Sequence, residues 1–242
     1  MRLDLALVEL GIIETRSKAY DLIKEGMVKV NNFQILKPSK IIHSNDEIVV
    51  DQKTFPWVSR AAKKLVFAIE EFGVNPEDKI VFDLGASTGG FTEVSLKYGA
   101  KKVYAIDVGS NQLHDRLKTD SRVSELSCLD ARKINDLNLP APEWIVADLS
   151  FISLSKALPI VMTKASFGAY MICLIKPQFE LSKTEIGKNG IVKSETMRKY
   201  AISKVVDFIN HSNWSVIGTI ESPILGRSGN KEFLLCGIKN SK

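Results

Sequence analysis

The sequence of 242 residues predicts an α/β protein in which a small α+β segment precedes a larger domain built on a mostly parallel sheet. From residue 80 onward, continuous apolar stretches alternate with helical patterns, which is typical of parallel strands covered by helices on both faces. The last two strand candidates have no helix between them, which indicates an antiparallel hairpin at one edge. Residues 1–54 contain eight Lys or Arg and eight Asp or Glu, so the net charge of +5 belongs to the remainder.

The first segment predicts two short helices followed by short strands. Leucines at positions 3, 7 and 10 have helical spacing, and Gly11 ends that helix. Thr15 is placed to cap a second helix, which Gly26 ends. Strands are predicted at residues 28–30 and 48–50, and the first of them runs into an Asn-Asn turn.

Basic side chains cluster on or just after the second helix, at Arg16, Lys18, Lys24 and Lys29. Such a cluster is either a solvated helix face or a nucleic-acid contact, and the sequence leaves both interpretations open. A second basic stretch, residues 176–204, holds seven Lys or Arg against three Asp or Glu.

The junction between the two parts is predicted at Phe55-Pro56-Trp57-Val58, where proline breaks regular structure. The predicted organisation is therefore a first domain at residues 1–54, a linker at 55–58 and a second domain at 59–242. The predicted strands of the second domain cover residues 80–84, 103–108, 144–149, 169–176, 214–220 and 232–238, with a further candidate before Asp130, and its helices cover residues 91–98, 154–163 and 195–210.

Composition excludes several classes of protein. The apolar fraction of 45% and the charged fraction of 25% are ordinary for a globular domain, and no apolar stretch is long enough to span a bilayer. Asp4 and Glu9 interrupt the first apolar stretch, which argues against a signal peptide. The cysteines, Cys128, Cys173 and Cys236, are predicted to be reduced, buried residues of a cytoplasmic protein. We therefore expect no metal and no membrane partner, whereas the pI of about 9.0 permits a polyanionic one.

A glycine-rich turn at residues 81–93 links a strand to a helix, an arrangement that lets backbone approach a ligand. It fails the dinucleotide-binding pattern because Ser87 stands where the second glycine belongs. Residues 85–89 do satisfy the Gly-x-Ser-x-Gly pattern of a hydrolase, with Ser87, Asp148 and His211 as a triad in chain order. The position of the turn after the first strand of its domain, and of His211 before a strand, argues against a hydrolase.

The third interpretation of the turn is an S-adenosylmethionine site. Asp83 ends the first strand, small residues follow it, and Asp107 ends the second strand, where an acid can bind ribose hydroxyls. Asp130 follows the third strand candidate and could accept from an adenine amino group. Each acid could instead cap a helix or lie in a solvated loop. The predicted cofactor-binding residues are Asp83, Gly85, Ala86, Ser87, Thr88, Gly89, Gly90, Phe91, Asp107 and Asp130.

Five stretches of the second domain resemble the TlyA family, whose members join an S4 RNA-binding module to an FtsJ-like ribose methyltransferase domain. They are WVSRAAKKL (57–65), DLGASTGGFTE (83–93), ADLSFIS (147–153), LIKPQFE (174–180) and GNKE (229–232). The N-terminal segment is similar to the S4 module at Arg2-Leu3-Asp4, Thr15-Arg16 and Lys37-Pro38-Ser39. The resemblance covers nearly the whole chain and implies a Rossmann-like second domain with a seven-stranded sheet.

The resemblance also implies an activity, a 2′-O-methyltransferase that uses S-adenosylmethionine and acts on ribosomal RNA or a ribosomal subunit. Matched position by position, the family's catalytic tetrad would be Lys64, Asp148, Lys176 and Glu232. The residues expected to contact RNA are Arg2, Arg16, Lys18, Lys24, Arg60 and Lys63. The chain departs from the family pattern at Thr15, Asn32 and Ala61, none of them a tetrad position. It resembles the shorter family type, for which a cytidine of large-subunit RNA is the expected target.

A ribose hydroxyl is a poor nucleophile at neutral pH, so methyl transfer needs a base and an in-line arrangement of oxygen, carbon and sulfur. A lysine amine beside another cation and partly desolvated can act as that base. Lys176 is the favoured candidate, with Asp148 orienting it and Lys64 and Glu232 positioning the ribose. Two alternatives remain, a catalytically inactive RNA-binding protein of the same fold and the Ser87 hydrolase.

Overall fold

The computed structural model describes residues 1–51, 57–226 and 228–241, and the chain divides into two compact units, Met1–Arg60 and Ala61–Lys242. Phe55 and Pro56 of the predicted linker lie outside the described residues. The predicted domain limits at 54 and 59 therefore stay predictions.

The first unit is a small α+β module with its own apolar core. Its elements are α1 (Leu3–Glu9), α2 (Arg16–Lys24), β1 (Val28–Val30), β2 (Phe33–Gln34) and β3 (Ile48–Val50). The strands form an antiparallel sheet in the order β2-β1-β3. The hydroxyl of Thr15 accepts the backbone N–H of Lys18 at 3.2 Å, which confirms the predicted cap. Asn31 and Asn32 turn the chain between β1 and β2 with φ values of 50° and 66°, a conformation that asparagine tolerates.

The second unit alternates strands with helices. Its strands are β4 (Ile80–Leu84), β5 (Lys102–Ile106), β6 (Val123–Leu126), β7 (Trp144–Ala147), β8 (Tyr170–Ile175), β9 (Trp214–Glu221) and β10 (Phe233–Lys239). Its α-helices are α3 (Ala62–Phe72), α4 (Gly90–Lys97), α5 (Asp115–Lys118), α6 (Leu154–Ala157), α7 (Pro159–Lys164), α8 (Pro177–Glu180) and α9 (Glu195–Asn210). Short 3-10 helices cover Ala131–Asp136 and Lys188–Gly190.

In the described part of the second unit, seven strands form one sheet in the order β6-β5-β4-β7-β8-β10-β9. The strands from β6 to β8 are parallel to their neighbours, whereas β10 is antiparallel to both β8 and β9. This confirms the predicted parallel sheet with an antiparallel edge. The order reverses between β4 and β7, and ligands of such sheets bind where the order reverses, beyond the carboxyl ends of the strands.

The sheet is buried because helices cover it. All residues of β7 and all but the first of β8 are buried, and Phe82, Trp144 and Trp214 are among the largest side chains with almost no exposure. Helices α3 and α4 pack against each other, and α6 and α8 pack against α9. Fully buried parallel strands need this cover on both faces.

Two expectations were wrong in detail. The helix predicted at 154–163 is divided into α6 and α7, because Pro159 lacks an N–H and occupies the first position of a new helix. Cys128 is exposed, with a φ of 57° in the turn after β6, so its prediction as a buried residue was incorrect. Cys173 and Cys236 are buried on β8 and β10 as predicted, and burial raises the pKa of both thiols.

Candidate active site

Four charged side chains meet where the parallel strands β7 and β8 end, and the directions of the strands explain this meeting. Asp148 directly follows β7, and Lys176 directly follows the neighbouring strand β8. Since β10 is antiparallel to β8, the start of β10 lies beside the end of β8, with Phe233 paired to Ile175. Glu232, one residue before β10, therefore reaches the same edge. Lys64 comes from the first turn of α3.

The four side chains form a chain of alternating charge, which we call the tetrad. Lys176 Nζ lies 2.6 Å from Asp148 Oδ1, and Lys64 Nζ lies 3.5 Å from Asp148 Oδ2. Lys64 Nζ also donates to Glu232 Oε2 at 2.7 Å. Asp148 thus bridges the two lysines with one oxygen each, and Lys64 is held between two carboxylates.

The tetrad is largely removed from solvent. Side-chain exposure is 7% for Lys64, 4% for Glu232, 10% for Lys176 and 17% for Asp148. Burial opposes the ionisation of Asp148, but the two lysine ammonium groups outweigh it and hold the pKa of Asp148 below its ordinary value. Buried ion pairs contribute little to the net free energy of folding. A cluster of four buried charges is therefore more readily explained by a catalytic role than by a role in stability.

The surroundings of Lys176 include two residues that sequence reasoning missed. The hydroxyl of Ser150 accepts from Lys176 Nζ at 2.8 Å. Phe151 is 91% exposed and has a φ of 66°, a left-handed conformation that is strained for an aromatic residue. Its ring lies 5.2 Å from that of Phe179, and Lys176 Nζ is 5.9 Å from the Phe179 ring centroid. Their signal was the continuation of the strand into Asp-Leu-Ser-Phe, a polar turn carrying an aromatic residue.

The glycine-rich turn lies directly against the tetrad. Gly85 has a φ of 79°, and a side chain there would come within 2.8 Å of the backbone oxygen of Asp148. The next strand end holds the turn in place, because Asp107 accepts the backbone N–H of Ser87 at 2.8 Å and that of Gly109 at 2.7 Å. A small cleft opens here, lined by Ser87, Asp107, Gln112 and Glu125 among others.

Asp83 is the penultimate residue of β4 and is fully buried beneath this turn. One carboxylate oxygen accepts from the Thr92 hydroxyl at 2.7 Å, while the other has no hydrogen-bond partner among the described residues. Burial raises the pKa of Asp83 to about 7 despite the Thr92 hydrogen bond, and the charge of Asp148 adds to the rise. A buried carboxylate with an open oxygen beside a small-residue turn fits a cationic ligand such as the sulfonium and amino end of S-adenosylmethionine.

The remaining predicted cofactor residues divide between the turn and its surroundings. Gly89 and Gly90 begin α4 with Phe91 buried behind them, and Ala86 lines the cleft beside Ser87. Thr88 accepts the backbone N–H of His114 through its carbonyl oxygen. Asp130 instead caps the 3-10 helix Ala131–Asp136 and pairs with Arg132 at 2.5 Å, which holds its pKa at about 2. That is the capping role left open by the sequence, and an adenine contact by Asp130 stays a prediction.

The hydrolase alternative is wrong. His211 follows the last residue of α9 and precedes β9, whose start pairs with the end of β10. That end of β10 lies beside the start of β8, so His211 is at the opposite edge of the sheet from Asp148. Ser87, Asp148 and His211 therefore cannot form a triad.

The predicted RNA-contacting residues differ in availability. Asp4, 1% exposed, accepts from both Arg2 and Arg16 at 2.9 Å, which fixes two partly exposed guanidinium groups side by side. Lys18 pairs with Glu14 at 2.9 Å.

Lys24 is exposed on α2, and Lys63 is half-buried on α3. Arg60 has 13% side-chain exposure and pairs with Asp21 at 3.2 Å, so most of its side chain is shielded from solvent.

Residues 1–51, 57–226 and 228–241 offer neither a membrane-spanning helix nor a metal-binding cluster. No helix there is long and apolar enough to cross a membrane. No group of three or more His, Cys, Asp or Glu side chains in those ranges is arranged to hold a metal ion.

Comparison with known proteins agrees with this architecture. Residues 57–239 match the family model of FtsJ-like methyltransferases, and residues 1–48 match that of the S4 domain. Hemolysin A from Brachyspira hyodysenteriae is 41% identical over 236 residues, covering 97% of this chain and 98% of that protein. The 16S/23S rRNA (cytidine-2′-O)-methyltransferase TlyA from Mycobacterium tuberculosis is 38% identical over 236 residues, covering 97% of this chain and 88% of that protein.

A solved structure has the same fold over the full chain. It is a protein from Streptococcus thermophilus with a provisional hemolysin designation, 36% identical, with a TM-score of 0.79 and coverage of 100% of this chain and 89% of that one. The family match spans nearly all of the second unit, and the relatives align over nearly the whole chain. This chain therefore belongs to the TlyA family of methyltransferases, in which an S4 domain precedes an FtsJ-like domain.

Proposed function

We propose that this methyltransferase acts in the cytoplasm and transfers a methyl group from S-adenosylmethionine to a ribose 2′-hydroxyl of ribosomal RNA, at a cytidine of the large subunit. The observation that carries the proposal is the contact between the two parts of the site. The glycine-rich turn at Gly85 touches the backbone of Asp148, so a ligand on the turn lies next to Lys176 and Asp148. The name of the relative from Mycobacterium tuberculosis supports the ribose and the cytidine.

The cofactor would lie between Asp83 and Asp107, across the end of β4 where the strand order reverses. When bound, S-adenosylmethionine supplies a methyl group on a positively charged sulfur. Asp83 has a buried carboxylate oxygen without a hydrogen-bond partner among the described residues. The carboxylate of Asp107 is oriented by two backbone N–H groups. Ordered small residues on the turn keep side chains out of the path between cofactor and tetrad.

Lys176 is the proposed base that takes the proton of the ribose hydroxyl. Lys176 first releases its ammonium proton to solvent, the neutral amine then accepts the proton of the ribose hydroxyl, and the ammonium formed again lies 2.6 Å from the Asp148 carboxylate, which stabilises it. Ser150 and Asp148 fix the direction of the amine. General-base catalysis of this kind contributes about 10²–10⁴-fold to the rate.

Lys64 fits the role of base less well than Lys176. Its Nζ is held between two carboxylates, 3.5 Å from Asp148 Oδ2 and 2.7 Å from Glu232 Oε2. Lys176 has one carboxylate, a hydroxyl and an aromatic ring around it. Lys64 with Glu232 therefore serves to position the ribose and to hold Asp148.

Phe151 favours RNA over a small-molecule substrate. An exposed ring next to the base-bearing edge, braced by Phe179, is a surface on which a nucleobase can stack. The left-handed φ of 66° at Phe151 is a strained conformation of the kind that clusters at ligand-binding sites. The flat ring would carry the base of the nucleotide whose ribose reaches Lys176.

A catalytically inactive RNA-binding protein is the competing function. It would require a broken tetrad or an obstructed turn. All four charged residues are present and within 3.5 Å of a partner, and the turn keeps its cleft. These observations support an active enzyme.

The direct test incubates the protein with methyl-labelled S-adenosylmethionine and, separately, small subunits, large subunits and their naked RNAs. We expect label in the RNA of the large subunit. Label in small-subunit RNA alone would overturn the subunit assignment. Absence of label from all four substrates, with the cofactor bound, would favour the inactive alternative.

A further inference from the structure

Asn230 occupies a buried position in the loop between β9 and β10, two residues before Glu232. It is 2% exposed. Its side-chain oxygen accepts the backbone N–H of Val192 at 2.9 Å, and its side-chain nitrogen donates to the carbonyl of Gly190 at 2.9 Å. Its own carbonyl accepts the backbone N–H of Gly226 at 2.9 Å. Asn230 therefore joins its loop to a segment about 40 residues away in sequence.

The amide side chain satisfies both partners at this position with two different atoms. Val192 presents a donor and Gly190 an acceptor, so the side chain between them must accept and donate at once. A carboxylate would lose the donor, and an apolar side chain would leave both backbone groups buried without partners. The requirement is specific enough to explain the residue type.

The segment held by Asn230 belongs to the connection between α8 and α9, residues 181–194. Arg198 also fixes it, donating to the carbonyls of Val192 at 3.0 Å and Lys193 at 3.1 Å. Val192 packs in a small buried cluster with Leu181 and Ala201. The connection is therefore an ordered surface, and Lys183 and Lys193 are exposed on it.

On its other side, the loop carrying Asn230 holds Glu232. The carbonyl of Glu232 accepts the backbone N–H of Ser222 at 2.9 Å. Gly226 lies against the carboxylate so closely that a methyl group there would collide with Glu232 Oε1. Because the backbone N–H of Gly226 also donates to the carbonyl of Asn230, Gly226, Asn230 and Glu232 contact one another just before the start of β10.

We propose that Asn230 is a positioning residue, which holds Glu232, and through it Lys64, in register with the α8–α9 connection. RNA phosphates bound by the exposed lysines of the connection would then present the ribose at a fixed distance from the tetrad. This inference rests on the proposed function, because it assigns the connection to the RNA substrate.

The test compares Asn230→Ala with a matched control, Asn210→Ala, in the full chain. The side chain of Asn210 also accepts a backbone N–H, that of Val216 at 3.1 Å, but at the opposite edge of the sheet. We expect both variants to lose thermal stability and to bind S-adenosylmethionine as the wild type does. Asn230→Ala should lower kcat by about 10- to 100-fold and raise the KM for RNA, while Asn210→Ala leaves both unchanged.

Wild-type kcat and KM in Asn230→Ala would overturn the inference, and so would equal losses in both variants. If Asn230→Ala does not fold, Asn230→Ser replaces it, since its neutral hydroxyl buries no charge while it is too short to span both Val192 and Gly190. The same outcomes then apply.

Failure of the proposed function is distinguished by a second readout. If the wild type methylates no RNA, amide hydrogen exchange still tests the coupling. Exchange should rise together at residues 187–193 and 230–235 in Asn230→Ala and at neither in Asn210→Ala. A rise confined to residues 187–193 would overturn the inference.

Discussion

Asp83 is the penultimate residue of β4 and Asp148 directly follows the neighbouring parallel strand β7, yet their carboxylates behave in opposite ways. Asp83 has no lysine or arginine beside it in the described structure, and burial raises its pKa to about 7. Asp148 is also buried, but Lys64 and Lys176 keep its pKa low. The carboxylate of Asp83 therefore has no cation beside it among the described residues, whereas that of Asp148 contacts two lysines.

This difference separates the two tasks of the site. Near the end of β4, the buried Asp83 carboxylate has no cation beside it among the described residues. This arrangement is suitable for binding a sulfonium cofactor. The β7 side is already neutralised, which is suitable for holding a lysine whose proton must come and go. Substitutions should therefore affect cofactor binding near β4 and proton transfer near β7 separately.

The largest effect is expected on catalysis at the tetrad. Lys176→Arg keeps the charge but replaces the amine with a group that cannot deprotonate, so methyl transfer should fall by about 10²–10⁴-fold. Single-turnover rates measure the loss, and affinities for cofactor and RNA should change little. Lys156→Arg, an exposed lysine of α6, is the control. Near wild-type turnover in Lys176→Arg would move the base to Lys64.

The cofactor side should respond in binding instead. Asp107→Ala removes a carboxylate from the proposed ribose site and frees two backbone N–H groups, that of Ser87 in the turn and that of Gly109 after β5. We expect S-adenosylmethionine affinity to fall by about 10- to 100-fold in calorimetry, with RNA affinity nearly intact. Asp120→Ala, which breaks a surface pair with Arg122, should leave both unchanged. Equal cofactor affinity in Asp107→Ala and wild type would sink the assignment.

Isosteric substitutions contrast the two aspartates directly. Asp83→Asn removes an unpaired buried charge and should raise the Tm by a few degrees at pH 8, whereas Asp148→Asn leaves two lysines poorly compensated and should lower it. The gain for Asp83→Asn should shrink from pH 8 to pH 5, because the folded protein keeps Asp83 protonated below about 7.

The dependence of folding stability on pH has the opposite sign for Asp148. Its pKa is lowered on folding, so its contribution is complete above the ordinary carboxyl pKa of about 3.9 and is lost only as the pH falls through its lower folded value. The loss in Asp148→Asn should therefore be the same at pH 8 and pH 6. Parallel pH trends for the two variants in thermal unfolding would contradict the comparison.

The smallest effect concerns RNA affinity. Arg16→Gln and Lys24→Gln each remove a candidate phosphate contact of the first unit. Each should lower the slope of log affinity against log salt by about 0.9 if the contacted RNA is helical. Lys101→Gln, at an exposed residue just before β5, is the control. An unchanged slope would mean that the basic helix is only a solvated face.

Much of the fold follows from local signals in the sequence. Helix α9 has the predicted limits 195–210, because Ser194 caps it and its apolar spacing is regular. The strand ends that carry Asp83, Asp148 and Lys176 were predictable because buried apolar stretches stop at a charge.

The rest depends on contacts between distant residues. Asn230 with Val192, and Lys64 with Glu232, pair across 38 and 168 positions, and no local pattern encodes such distances. The exposure of Phe151 was also hidden, since an aromatic residue after a buried strand is ordinarily expected in the core.

The position of the transferred methyl group tests the central claim most directly. Large-subunit RNA labelled by the wild type is hydrolysed in alkali, with Lys176→Arg as the parallel reaction. Label should appear in alkali-resistant dinucleotides, because a methylated 2′-oxygen cannot attack the adjacent phosphate, and it should be nearly absent with Lys176→Arg. Label recovered in mononucleotides would place the methyl group on a base and contradict ribose methylation.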